Sequence, residues 1–289
     1  MTEPAKVADR RPPRRLAAFQ ITKQHRRFVE FADAVRRHRY IGACYGAPGL
    51  GKTLSARTYA AAEDWDRWEL HRYSRDSTLP ESLLTSRTAI FTPYVTITAR
   101  QLLNEVIHRV AVLSGDIERS FNALWDPFDD NQLESDSRTE LLIIDEADRL
   151  KTSGLKTTGL KTTGLEQLRD YFDRHDMGMI LIGMPGFDRQ LARYPQLYSR
   201  VGFAHQYRPL DAEDIPDVLE HYWKQLGLPF DPTLADKAAN TVTRITGGNF
   251  RLIERLMSQV GRVLEINQLD TITPEVVEAA RQTLVVGSQ

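Results

Sequence analysis

The chain has 289 residues, 41% of them hydrophobic and 27% charged, with a formal net charge of −1. This is the balance of a water-soluble globular protein with room for one large domain and a smaller appendage. No stretch approaches the roughly 18 consecutive apolar residues of a membrane helix, and the positive N-terminus has no apolar run behind it, so no membrane contact is expected and the predicted location is the cytoplasm. Cys44 is the only cysteine, which excludes an internal disulfide and argues against a cysteine-based zinc site; its apolar neighbours read as the surroundings of a core thiol.

The charge is unevenly placed. Residues 1–40 carry 11 Lys and Arg against 4 Asp and Glu, a net of +7, which leaves −8 for the rest. Residues 1–16, with Pro12-Pro13 among arginines, read as a basic leader without regular structure. Such an arm suits a polyanion such as DNA, and it equally suits a solvated tail.

Residues 21–38 predict a helix. Tyr40 to Tyr45 is a short apolar run that ends at a glycine-rich turn, and residues 51–62 read as helical, which gives the order strand, Gly-rich loop, helix. Residues 63–87 are polar and read as irregular. Thr88 to Val95 reads as a second strand, with Pro93 marking a sheet edge or a strand end. Thr98 is placed to cap a helix in which Leu102, Leu103, Val106, Ile107, Val110 and Ala111 recur at i, i+3, i+4. Residues 114–138 are acidic and polar and predict a surface helix and loop.

Leu141 to Ile144 is a continuous apolar run, as in a strand covered on both faces of a parallel sheet, and it ends in Asp145-Glu146. Met179 to Ile182 reads as another such strand and Gly202 to Tyr207 as the last. Beyond Leu210 only helices are predicted, over 211–226, 232–242, 249–264 and 273–285, with Asp231-Pro232 and Thr273-Pro274 as helix starts. The expected architecture is a three-layer α/β domain with a parallel sheet over 17–210, followed by a small all-helical domain over 211–289.

Residues 150–164 read LKTSG, LKTTG, LKTTG. A five-residue period matches neither helix nor strand, so this is a tandem expansion in a surface loop. It is either a neutral duplication or an extension of a DNA-facing loop by Lys151, Lys156 and Lys161.

The segment Gly46-Ala47-Pro48-Gly49-Leu50-Gly51-Lys52-Thr53 has the GxxxxGK[ST] pattern of a phosphate-binding loop in the strand–helix setting that pattern requires. Glycines let backbone N–H groups turn inward around phosphates, Lys52 reaches the β- and γ-phosphates, Thr53 can ligate Mg²⁺, and the following helix presents its positive dipole end. ATP and Mg²⁺ are the expected ligands. Asp145, at the tip of a buried strand, can hold Mg²⁺ through water, and Glu146 can polarise the attacking water. Two acidic residues at a helix start are the plainer reading of the same pair.

GAPGLGKT followed by LLIIDEAD resembles the AAA+ ATPases. More narrowly, these motifs, the strand Met179-Ile180-Leu181-Ile182-Gly183 and the segment Tyr198-Ser199-Arg200-Val201-Gly202-Phe203 are similar to the TnsC/TniB/MuB group of transposition regulators. The resemblance implies a homo-oligomer, a ring or helical filament on duplex DNA, that recruits a transposase. It places an arginine finger at Arg200, with Arg193 as the alternative, and a second sensor at Arg251 in Gly247-Gly248-Asn249-Phe250-Arg251, which opens a lid helix. It puts Thr22 to His25 near adenine, and it puts DNA contacts on the segment holding Thr96, Thr98 and Arg100. Either arginine could instead be a surface ion-pair residue, and Thr98 could simply cap a helix. Where the family has a polar residue after the glycine of the fourth strand, this chain has Met184, which cannot orient a water by hydrogen bonding; slow hydrolysis is the expected consequence. Two other functional classes fit such a core: an ATPase switch acting on proteins, as in secretion, and a replication-type loader.

Overall fold

The computed structural model describes residues 19–72, 78–124, 138–150, 164–229 and 231–282. In chain order the elements begin with α1 (Lys23–His38), β1 (Ile41–Tyr45), α2 (Lys52–Tyr59), α3 (Ala62–His71), α4 (Glu81–Ser86), β2 (Thr88–Phe91), α5 (Ala99–Leu124) and β3 (Leu141–Ile144). They continue with α6 (Gly164–Arg174), β4 (Gly178–Gly183), α7 (Phe187–Leu191), α8 (Pro195–Tyr198) and β5 (Val201–Gln206). The helices α9 (Ile215–Gln225), α10 (Pro232–Thr246), α11 (Phe250–Asn267) and α12 (Pro274–Arg281) follow. The chain divides into two compact units between Arg208 and Pro209, and residues 19–23 group with the second.

The strands form one parallel sheet in the order β2-β3-β4-β1-β5. Strand side chains alternate between faces, and the two sets enter different cores. Ile41, Ala43, Leu142, Ile144, Met179 and Leu181 pack with α3 to α8 through Trp68, Leu83, Val106, Leu168, Phe187 and Leu197. Cys44, Leu141, Ile143, Ile180 and Ile182 pack with α1 and α2 through Phe28, Ala32, Val35 and Ala56. β3 and β4 are covered on both faces, so they read as uninterrupted apolar runs. The result is the predicted three-layer α/β arrangement.

Three local expectations are corrected. Residues 63–87 are not irregular: α3 buries Trp65 and Trp68, one turn apart, and α4 buries Leu83. The helix from Ala99 does not give way at 114 to a surface segment; it runs on to Leu124 and buries Leu113 and Ile117. Asp116 is buried in the same stretch, where its Oδ2 accepts from Trp68 Nε1 at 2.8 Å and Oδ1 pairs with Arg119. The second strand stops at Phe91 rather than Val95; it is the sheet edge, which is where Pro93 is tolerated.

In the second unit, Ile215, Leu219, Trp223, Val242, Ile253, Leu256, Val260 and Val277 share one core. Its helix starts are written in the sequence. Asp231 accepts from Thr233 N and Leu234 N, Asn249 from Leu252 N and Thr273 from Val276 N, with proline in the first turn of α10 and α12.

Candidate nucleotide-binding site

The loop between β1 and α2 is shaped by its glycines. Gly49 and Gly51 have φ of 81° and 106°, the left-handed region that glycine enters without a Cβ penalty. Gly51 immediately precedes α2, so Lys52 and Thr53 form its first turn, where backbone N–H groups lack helical partners and carry the positive end of the dipole. Lys52 Nζ arches back over the loop, donating to Gly46 O at 2.6 Å and Ala47 O at 2.8 Å.

The sheet order brings the acidic pair beside this loop. β4 lies between β1 and β3, with Leu181 paired to both Ala43 and Ile144, so Asp145 stands level with Ile182 and Cys44. Asp145 is 2% exposed. Its Oδ1 accepts from Glu146 N at 3.0 Å, and the Thr53 hydroxyl acts on its ionisation. Burial raises the Asp145 pKa above the usual carboxylate range, opposed by Thr53, the Glu146 N–H and Lys52. Its Oδ2 is buried without a hydrogen-bond partner. Such an oxygen is costly to leave unsatisfied, and a divalent cation reached by Thr53 and Asp145 would satisfy it. Among the described residues no three His, Cys, Asp or Glu gather into a cage. Mg²⁺ keeps waters and takes one or two protein ligands plus phosphate oxygens.

Glu146 follows with φ 54° and ψ 38°, a left-handed backbone unusual for a side chain of this size. Its carboxylate meets the Arg149 guanidinium, charge against charge without hydrogen-bond alignment at Oε2. Arg149 also donates from Nη1 to Pro93 O at 3.3 Å. One arginine therefore touches both Glu146 and the segment joining β2 to α5. That segment is exposed: Tyr94 is 66% and Val95 78% accessible. Met184, next after β4, is partly exposed at the same carboxyl end of the sheet.

The other predicted residues fall in several places. His25 is buried on α1, its Nδ1 3.0 Å from Ser55 Oγ on α2. Thr98 caps α5 in a reciprocal box: Gln101 N donates to Thr98 Oγ1 at 3.2 Å, and Thr98 N donates to Gln101 Oε1 at 3.0 Å. Arg100 is exposed in the first turn of that helix. Arg200 lies at the opposite end of the sheet from the glycine-rich loop, because its carbonyl accepts from Ile41 N at the start of β1. Five strand residues, about 16 Å at ~3.3 Å each, separate it from Gly46 of its own chain. The Arg200 side chain grips Asp173 on α6, with Nη2 2.7 Å from Oδ2, and this guanidinium holds the Asp173 carboxyl below the usual range. Arg193 is exposed.

Arg251 belongs to the second unit, exposed on the first turn of α11. The preceding glycines have local causes: Gly247 ends α10 at φ 57°, and Gly248 sits where a Cβ would overlap the Leu210 carbonyl oxygen. Lys151, Lys156 and Lys161 lie outside the described residues.

The family profile described as an AAA domain matches residues 35–191. This chain belongs to the AAA family. It is 38% identical to a Staphylococcus aureus protein named a potential ATP-binding protein, over 93% of this chain and 97% of that one. The fold is similar to the Thermotoga maritima RuvB Holliday junction branch migration motor, with a TM-score of 0.56 and 16% identity over 91% of this chain and 69% of that one. It is also similar to Aeropyrum pernix ORC2, with a TM-score of 0.57 and 16% identity over 93% of this chain and 71% of that one. At such identities the likeness is one of fold. In coarse terms, then, this AAA chain is an ATP-binding AAA+ ATPase. Its sequence gave no sign of a role for Arg149, Asp173, Ser55 or Tyr207. Arg149 stands within the acidic motif, but the partners of the other three are 27 or more residues away with no local pattern.

Proposed function

We propose that this AAA+ ATPase binds duplex DNA with little sequence preference, assembles on it in an ATP-dependent way, and regulates or recruits a transposase, as the TnsC/TniB/MuB group does. The observation that carries the reading is the Arg149 bridge between Glu146 and the exposed segment after β2. A surface segment tied to the candidate hydrolytic carboxylate is what a DNA-stimulated ATPase requires. Tyr94 and Val95 offer apolar and aromatic surface for stacking on or wedging against bases, and Arg100 offers a phosphate contact.

In this reading the loop N–H groups and Lys52 hold the β- and γ-phosphates, and Glu146 orients the water that attacks the γ-phosphate. A Mg²⁺ reached by Thr53 and Asp145 would supply charge neutralisation on the phosphate oxygens. Arg200 is too far from its own loop to act in cis, so its place is at the γ-phosphate of a neighbouring subunit, where a guanidinium stabilises developing charge. To do so it must exchange Asp173 for phosphate. Arg251 would contact the nucleotide from the helical unit, and Met184 in place of a polar residue makes hydrolysis slow.

The test is ATPase rate with and without duplex DNA, and DNA affinity with and without ATP. DNA is expected to raise the rate, and ATP to raise an affinity that falls steeply with salt. If neither effect occurs in the purified protein, the reading fails. The same exposed Tyr94 and Val95 favour a second reading, in which the partner is a protein; that predicts an ATPase indifferent to DNA. Electron microscopy with duplex DNA and a slowly hydrolysed ATP analogue tests the assembly, and co-sedimentation of a transposase with it tests the partner.

A further inference from the structure

The glycine-rich loop leans on a side chain from the neighbouring strand. Tyr207 follows β5, which pairs with β1, and is buried. Its N–H donates to Tyr45 O at 2.8 Å, the residue just before the loop. Its carbonyl oxygen lies against Gly46 so closely that a Cβ there would overlap it. The side chain then runs beneath the loop to its far side. A Cβ at Gly51 would stand 3.6 Å from the Tyr207 hydroxyl, and that hydroxyl is 2.8 Å from Ser55 Oγ. Ser55 lies one turn beyond Lys52, and its Oγ is in turn 3.0 Å from His25 Nδ1. Ser55 and His25 are both buried. Burial first, and Arg26 second, hold His25 below the ordinary histidine range, so the imidazole is neutral at pH 7 and offers one donor and one acceptor. Beside it, Gln24 Oε1 accepts from Arg208 N at 3.3 Å.

One tyrosine thus touches the loop where it leaves β1 and, through Ser55, the helical turn that receives it. We infer that Tyr207 is a positioning residue for the nucleotide phosphates: with Ser55 and His25 it sets the span between Gly46 and the first turn of α2. This rests on the reading of Gly46 to Thr53 as the phosphate-binding loop. A loop whose N–H groups must converge on phosphate oxygens binds tightly only if its width is fixed beforehand. The ring supplies the length of the brace, and the hydroxyl relay supplies its anchor at the α2 end.

Tyr207→Phe keeps the ring and the backbone contacts and removes the anchor. In the full-length protein it is expected to weaken ATP binding about three- to tenfold, the size of one neutral hydrogen bond, with kcat at saturating ATP within about twofold of the parent. Ser55→Ala breaks the same relay from the other side, and it serves if Tyr207→Phe does not fold. The double variant should bind ATP no worse than the weaker single one. His25→Ala should share the loss, and His25→Asn, whose amide can take the place of Nδ1, should restore it. Lys52→Ala is the control for the loop itself and should abolish binding. If Lys52→Ala abolishes ATP binding while Tyr207→Phe and Ser55→Ala bind like the parent, the brace is overturned and the loop reading stands; a lowered melting temperature without a change in affinity overturns it in the same way. If Lys52→Ala binds normally, the loop reading falls and the brace falls with it.

Discussion

At Glu146 a single carboxylate is asked to do two things. It sits one residue beyond the buried Asp145, on a left-handed backbone, with Arg149 against its side chain. The two neighbours in sequence have opposite environments. Asp145 is enclosed beside Thr53 and Lys52 and suits a cation, whereas Glu146 is open enough to meet a water. Glu146→Gln keeps the shape and removes the charge. It is expected to leave ATP affinity unchanged while lowering kcat about 100-fold or more, the usual share of a positioned base. Single-turnover hydrolysis measured beside nucleotide binding checks this, and a normal rate would remove Glu146 from the mechanism. The pair and the glycine-rich loop were legible in the sequence because each is a short contiguous pattern. Arg149 on Pro93, Asp173 on Arg200 and Tyr207 on Ser55 were not, because each joins residues far apart in the chain.

Among the elements, the strands were the easiest to read. Leu141 to Ile144 and Gly178 to Gly183 are buried on both faces, and nothing polar interrupts them. α3 escaped notice because only Ala62, Trp65 and Trp68 are buried in a run otherwise rich in charge, AEDWDRWELH. A helix is expected in the second half of α5, but its burial escaped because Asp116 reads as a surface charge until its partner Trp68 is known. Thr98 shows how an element can account for a residue credited with function. Its hydroxyl already closes the capping box with Gln101, so Thr98→Ala should cost about 1 kcal/mol of stability. If capping is its whole role, DNA affinity will be unchanged once the folded fractions are matched. A uniform loss across DNA sequences, seen in titrations at fixed salt, would give it a phosphate contact as well.

For the whole molecule, the order of strands decides what can act on what. No local pattern announces β2-β3-β4-β1-β5, yet that order sets Asp145 beside the loop, while Arg200, just ahead of β5, stays at the far end of the parallel sheet. On the proposed reading, an arginine there serves a second copy. Arg200→Ala should therefore lose most DNA-stimulated activity, on the order of 1000-fold for a finger supplied in trans. Lys52→Ala should be inactive for a different reason. Mixed together, the two dead proteins are expected to regain activity, since hybrid contacts pair an intact loop with an intact Arg200. Rates measured over a range of mixing ratios check this, and strict proportionality to zero would deny the shared site. The two compact units divide between Arg208 and Pro209, and residues 19–23 group with the helical one.

Cys44 offers a way to watch this loop without altering it. It is the chain's one thiol, fully buried on the strand that delivers Gly46, and burial pushes its ionisation upward. A thiol so placed reacts with a soluble alkylating reagent only when β1 parts from its neighbours, so the labelling rate becomes a clock for that opening. ATP that binds the closed form alone should slow the clock by a factor of one plus the ratio of ATP concentration to Kd, about 100-fold at a hundred times its Kd. The parent protein, with no probe introduced, can thus report how firmly nucleotide clasps the strand beneath it.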